Sequence, residues 1–287
     1  MSAPAVGGTA PGGTAPGGTA PGGTAPGRAR FRRFGYWGLG WLGVAAAAGL
    51  WQLISVLMHS TFFPTFSTSA SRSWHLLDGP VRTKDLIPSI LRTLAGFGIS
   101  AVIGVTVGMV TGYYRAAQEW TSAVFDFLRS LPTPLLIPVA LVLLGLGGQM
   151  VVAVIVTAAV WPVLINTANA TAGLEPTLVD TARMLGLKGR AFLWRLVLPA
   201  VSPQIFAGLR VSISISLAVM VVAEILGGGS GIGYFISSAQ QSFQITDSWA
   251  GVLVLCLLGW AFDSLFLLAE RRLLAWQRGT VGGEQLG

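Results

Sequence analysis

Stretches of about 20 predominantly apolar residues recur along this chain, and that is the length a helix needs to cross a bilayer core at about 1.5 Å per residue. They lie near Tyr36–Met58, Thr93–Tyr113, Trp120–Gly145, Met150–Ala170, Ala200–Leu226 and Trp249–Ala269. The expected fold class is therefore an all-α membrane protein, a single bundle of six transmembrane helices with no separate soluble domain. Composition agrees, since 53% of residues are hydrophobic and only 10% are charged, against about 25% charged in soluble domains. The mean hydropathy is +0.69.

The ends of the chain differ from the bundle. Residues 7–26 are four copies of Gly-Gly-Thr-Ala-Pro, a tract without charge or aromatic groups that cannot bury enough surface to offset the entropy of ordering. Residues 1–35 are read as a disordered tail with a basic flank, Arg28 to Arg33, ahead of the transmembrane domain at 36–272 and a C-terminal tail at 273–287. The first span is an uncleaved anchor helix: its apolar stretch runs on through Trp51, Gln52 and Leu53 without the short core and small-residue cleavage site of a signal peptide.

An even number of crossings puts both termini on one side. Arg28, Arg30, Arg32, Arg33, Arg115, Arg183, Lys188, Arg190, Arg195, Arg271, Arg272 and Arg278 share that side, against Arg72, Arg82 and Lys84 on the other. The positive-inside tendency makes it cytoplasmic. The net charge of +7 is scattered among apolar segments and forms no basic stripe, which argues against nucleic acid as a partner. The loop His59–Pro88 is then extracytoplasmic, and its amphipathic stretch around Trp74-His75-Leu76-Leu77 is expected on the membrane surface. Cys256 lies in a span without a partner, and His59 and His75 have no neighbouring ligands, so neither a disulfide nor a metal site is expected.

One polar island, 172–199, separates the fourth and fifth spans. Glu175-Pro176-Thr177 reads as a helix start, because proline is pre-organised for the first helical position. Leu178, Ala182 and Leu185 share one face, and Gly186 can end the helix in a left-handed conformation. A second short helix is expected from about Gly189 to Val197, stopped by Pro199, with Phe192 and Trp194 exposed. Such an element is either a docking surface or an ordinary solvated loop.

The run Asp180-Thr181-Ala182-Arg183-Met184-Leu185-Gly186, followed after nine residues by Leu196-Val197-Leu198-Pro199, resembles the cytoplasmic EAA motif of ABC importer permeases. Asp180 stands for the usual glutamate and Thr181 for the first alanine. The resemblance covers about 185 residues from Ser89 onward. Within it, Arg129-Ser130-Leu131-Pro132-Thr133-Pro134, Val222-Ala223-Glu224 and Gly231-Ile232-Gly233-Tyr234 are similar to segments of the sulfonate, taurine, nitrate and bicarbonate permeases. The resemblance implies a type I ABC importer permease fold with cytoplasmic coupling helices, seated in the bacterial cytoplasmic membrane. Asp180, Thr181, Ala182, Gly186, Leu196, Leu198 and Pro199 would couple to a separate ATPase dimer that binds ATP and Mg. A second copy of the permease and an extracytoplasmic substrate-binding protein are the other implied partners.

The residues themselves carry no ATP site. A phosphate loop needs Gly-x4-Gly-Lys-Ser/Thr, and Gly186-Leu187-Lys188-Gly189-Arg190 has neither that spacing nor a preceding strand. The chain is thus read as a transport subunit with no catalytic residues and no cofactor of its own. Charges within a span are costly and usually face the bundle interior or water. Arg129, Arg210 and Glu224 are accordingly candidates for the translocation path. The two arginines can attract an anion, pair with Asp126 or bind lipid phosphate, and Glu224 can face a cavity or the interface. Pro132, Pro134 and Pro138 break the third span, by the path or simply by packing. Gly96, Gly104, Gly108 and Gly112 permit close helix approach. A small organic or inorganic anion is the expected solute. A thiamine precursor, a secondary transporter or channel without an ATPase, and a membrane enzyme are the rivals, the last two weakened by the absence of internal symmetry and of clustered catalytic groups.

Overall fold

The computed structural model describes residues 27–275, and all its regular elements among these are helical. The pentapeptide repeats and residues 276–287 lie outside the described residues. Helix α1 spans Gly27–Met58, so the basic flank belongs to this helix, and its stretch Gly40–Met58 is long and apolar enough to cross a membrane. Two compact units divide at Leu50 and Trp51, and the second carries the remaining helices.

That unit contains α2 (Phe66–Asp78), α3 (Ile87–Tyr113), α4 (Arg115–Ser130), α5 (Thr133–Leu144), α6 (Gly148–Ala172), α7 (Pro176–Met184), α8 (Gly189–Phe192), α9 (Leu198–Gly227), α10 (Ile232–Gln241) and α11 (Ile245–Leu273). Of these, α3, α6, α9 and α11 each pass the length and hydropathy requirement of a span. The expected third span is not a single kinked rod. It consists of α4 and α5, which meet at 89°. Pro132 accounts for the break: the residue before a proline is driven out of the helical region, and Leu131 and Pro132 are both extended, with ψ of 123° and 115°. Pro134 then sits in the first turn of α5, where its missing N–H costs nothing.

The core is a three-helix stack in which α3 and α6 run parallel and α9 antiparallel to both. Along α3, Gly96, Gly104, Gly108 and Gly112 face Ile155, Val163, Leu164 and Ala168 in order. A Cβ at Gly104 would lie 2.7 Å from that of Val163, and one at Gly108 would lie 2.7 Å from the Leu164 carbonyl oxygen. On α9, Gly208 does the same against the Pro162 carbonyl, at 2.8 Å. Hydroxyls stitch the stack: Ser212 Oγ donates to Ala159 O across the α9–α6 seam at 2.7 Å. Ile137, Met150, Ile155, Met220, Ile232 and Val254 close an apolar core shared by α5, α6, α9, α10 and α11.

The loop expected at 59–88 contains a true helix. Thr65 caps α2 by accepting from Thr68 N. The helix packs along the start of α11, where Ser73 Oγ donates to Ala250 O at 3.0 Å and Arg72 makes a two-pronged pair with Asp247. Trp74 points away, 73% exposed, as an amphipathic interfacial residue would. Trp51 and Trp249 also donate to the carbonyls of Pro64 and Phe62, and their rings cluster with Phe63.

Pro199 does not stop the helix it was expected to end. A π-turn, Leu193–Val197, carries the chain from α8 straight into α9, so that Gly189–Gly227 is one continuous 39-residue rod. A proline interrupts an α-helix by removing a donor and crowding the carbonyl four residues back. Here the wider turn absorbs that crowding, with Leu198 N bonding five residues back to Leu193 O. The same device precedes Pro88, where the π-turn Arg82–Leu86 leads into α3 and Ile87 N reaches Arg82 O.

Because the Gly108 contact is with backbone, no rotamer change relieves it. Gly108→Ala is expected to destabilise the detergent-solubilised protein by about 1–3 kcal/mol, read as a lowered thermal unfolding midpoint. Gly98→Ala, on the same helix but with open space around the added methyl, should leave that midpoint unchanged or raise it, since alanine is the better helix former by about 1 kcal/mol.

Candidate coupling site and buried charges

The island is built on a helix with defined ends. Glu175 is extended and Pro176 opens α7. At its other end Leu187 N bonds to Ala182 O at 3.1 Å and Gly186 N to Arg183 O at 3.0 Å, the double bond pattern that terminates a helix through a left-handed residue. Gly186 supplies that residue, at φ +79°. Leu187 then folds back onto Ala182, joining a second apolar cluster with Phe192, Val197, Val201 and Ile205.

Of the expected face, only Ala182 is buried; Leu178 is 41% and Leu185 77% exposed. Phe192 corrects the expectation of exposure. It is 5% exposed and its ring lies 6.0 Å from that of Tyr113, anchoring α8 to the end of α3. Trp194 remains exposed, as expected. Asp180 and Thr181 lie on the open surface of α7; Asp180 is 3.8 Å from Arg183, and Thr181 Oγ1 donates to Thr177 O. Leu196 and Leu198 pack into the cluster beneath, and Pro199 lies in the first turn of α9. The motif residues thus divide into an exposed pair, a buried alanine, a bend and an apolar root. Met184, at 87% exposure, joins Leu178 and Leu185 in leaving bare apolar surface at the tip.

The charged residues proposed for the spans are placed in three different settings. Glu224 is enclosed by protein at the end of α9 far from the island. Its carboxylate accepts from Ser89 Oγ at 2.8 and 2.9 Å, from Arg92 Nη1 at 2.9 Å and from Gly233 N at 3.1 Å. Arg92 also donates to the carbonyl and hydroxyl of Ser230, each at 2.7 Å. Ser89 Oγ accepts from Ile232 N, and Asp85 from Gly231 N. Asp85, Ser89, Arg92 and Ser230 were not singled out as site residues from the sequence. The available signal was a serine and an arginine three apart at the start of α3. Gly231, at φ +117°, is held where any side chain would overlap the Glu224 carboxylate.

Arg129 pairs with Asp126 at 3.0 Å, one helical turn away, and both remain more than half exposed. They border a polar recess of about 230 Å³ between α4 and α6, with Gln118, Thr121 and Asn169 on its walls. Arg210 instead pairs with Asp263 of α11 at 3.5 Å, also at about half exposure. Pro132 and Pro134 form the α4–α5 corner. The structure does not bring Arg129, Arg210 and Glu224 together. Cys256 is exposed, and no group of metal-binding side chains exists among the described residues.

Removing Arg92 would strand a fully enclosed carboxylate. Arg92→Ala is expected to destabilise the fold by about 3–5 kcal/mol, and Arg92→Ala with Glu224→Ala by clearly less than the sum of the two single changes, as measured by unfolding midpoints in a double-mutant cycle.

Residues 102–275 match the family model described as binding-protein-dependent transport system inner membrane component. The chain is 31% identical over 253 residues to a putative aliphatic sulfonates transport permease protein, SsuC, of Bacillus subtilis, an alignment covering 88% of this chain and 91% of that one. It is 34% identical to the bicarbonate transport system permease protein CmpB of Synechococcus elongatus, with 66% and 68% covered. It is 30% identical to the nitrate import permease protein NrtB of Synechocystis, with 64% and 67% covered. Among solved structures, an inward-facing form of the MetNI methionine ABC transporter shares the fold, with a TM-score of 0.58 at 17% identity over 68% of this chain and 95% of that chain. The chain belongs to the binding-protein-dependent transport system inner membrane components, the permease subunits of ABC transporters, and is a transport subunit and not an enzyme.

Proposed function

We propose that this permease imports a small anion, an aliphatic sulfonate, taurine, nitrate or a similar solute, by alternating access driven from a separate ATPase subunit. Support for the anion comes from the relatives named for aliphatic sulfonates, bicarbonate and nitrate. The observation that carries the coupling is α7: a short helix with a glycine-fixed bend, rooted by Ala182 and Phe192, whose tip leaves Leu178, Met184 and Leu185 uncovered. Apolar surface left open on a well-anchored projection marks a protein contact.

In this reading the island and both termini face the cytosol of a bacterial cell, and α7 seats in the ATPase, which holds ATP and Mg. Two copies of the permease form the pathway about a two-fold axis, and an extracytoplasmic binding protein delivers the solute at the opposite side. Arg129, in its polar recess with Gln118 and Asn169, is assigned to the water-filled inner part of the path, where a fixed cation favours an anion. Glu224 acts as a clamp on the outer loops, and Arg210 as a tie between α9 and α11.

Gly186→Val forces a β-branched side chain into left-handed backbone, which costs about 1–2 kcal/mol and dismantles the bend. ATP-dependent uptake of radiolabelled sulfonate or nitrate into proteoliposomes should fall about tenfold or more, with weaker co-purification of the ATPase and an unchanged amount of permease in the membrane. Uptake and association at wild-type levels in this variant would reject α7 as the coupling element.

A further inference from the structure

Beside the island, a groove follows α3 from the level of Ala101 to Tyr113. Its deep part, of about 410 Å³, is bounded by Val102, Val105, Met109 and Trp194. Its mouth, of about 700 Å³, is bounded by Tyr113, Tyr114, Arg183 and Lys188. Thr106, Met109 and Leu193 line both, so the two are continuous. The deep part is apolar: its hydroxyl, on Thr106, donates back to Val102 O and Ile103 O of its own helix.

We infer that this groove holds one anionic phospholipid, with an acyl chain along α3 and the phosphate between Arg183 and Lys188. Length is the first argument. Twelve residues of helix rise about 18 Å, enough for half of a hydrocarbon core about 30 Å thick plus the start of the headgroup layer. Charge placement is the second. Arg183 is not turned toward the tip of the island; its guanidinium reaches back toward Tyr113, with Nη2 donating to that hydroxyl at 3.4 Å. The Arg183–Asp180 pair is long, at 3.8 Å, and Lys188 has no ion-pair partner among the described residues, so the mouth keeps net positive charge. Polarity grading is the third. A groove that is apolar at depth, ringed by two tyrosines at one level and basic just above it has the order of layers of a single leaflet. A helix from a protein partner would meet no such gradient along one side.

The test uses full-length protein purified in detergent and titrated with phosphatidylglycerol or phosphatidylcholine of equal chain length, bound lipid being counted by native mass spectrometry. Wild type should retain phosphatidylglycerol preferentially. Arg183→Gln with Lys188→Gln should lose about tenfold or more of that preference, and Arg183→Lys with Lys188→Arg, which keeps both charges, should preserve it. Met109→Trp, which fills the groove below the charges, should reduce retention of both lipids. Equal retention of the two headgroups by wild type, or an unchanged preference in the double glutamine variant, would overturn the proposal. So would efficient disulfide capture of a second copy by Val102→Cys in a Cys256→Ser background, because the groove would then be covered by protein.

Discussion

In a bilayer, hiding apolar surface between helices gains little over leaving it against lipid, so association rests on close fit and on polar contacts between backbones. The α3–α6–α9 stack meets that condition with a glycine on one side of its closest contacts. Glycines 96, 104, 108 and 112 let α3 lie directly on α6, Gly208 lets α9 lie on α6 from the other side, and Ser212 adds a hydroxyl-to-carbonyl bond across the gap. Three further buried hydroxyls turn back on their own helix: Thr93 donates to Ser89 O, Ser216 to Ser212 O and Thr171 to Thr167 O. The rest of the fold hangs on this stack: α5 and α10 close one end, the island extends from the other, and α11 with α2 packs outside.

At the end away from the island, dispersion contacts alone would leave the glycine-rich turn after α9 without a fixed path. The Arg92–Glu224 pair fixes it, because its hydrogen bonds go to the turn itself: Ser230 accepts from Arg92, and the amides of Gly231, Ile232 and Gly233 are taken by Asp85, Ser89 and Glu224. A buried ion pair adds little net stability over an apolar substitute, but it tolerates only the geometry that satisfies it. In this protein that geometry sets where α10 begins, and therefore how α10 reaches α11 and the apolar core around Ile232 and Ile236.

Most of the spans were legible in the sequence because lipid demands unbroken apolar length, and that signal is periodic and long. The four-residue glycine rhythm of α3 was legible for the same reason. Gly186 announced the bend, since few residues adopt its conformation. Prolines were legible unevenly: Pro176 opens α7 as its type predicts. Pro199 reads as a stop because a proline is incompatible with regular α geometry, but five residues of π-turn relieve the clash, and such a turn has no residue signature. Pro132 was legible as a break but its angle was not, as 89° depends on what α4 and α5 pack against. Phe192 was misplaced because its partner, Tyr113, is far away in sequence. The Glu224 cluster escaped for a related reason: Ser89 and Arg92 meet Glu224 and Ser230 only once two distant segments are folded together.

The continuity of the rod from Gly189 to Gly227 bears on how the proposed coupling would work. Had Pro199 ended a helix, the island would hang from α9 by a joint, and a push on α7 would be absorbed there. Instead α8, the π-turn and α9 form one unbroken helix, and α7 is fastened to it by the Leu187–Ala182 contact and the Phe192–Val197–Val201 cluster. At its other terminus α7 is separated from α6 by only three residues. Since α6 and α9 are locked to each other at Pro162–Gly208 and Ala159–Ser212, a displacement of the island would reach both helices together and travel along them as rigid rotation. The corner at Leu131–Pro132 is where such rotation finds compliance, because the two residues joining α4 to α5 have no intrahelical ladder to break. In the proposed mechanism, movement between the halves of the bundle would therefore concentrate beside Arg129, at the recess proposed for the solute's path.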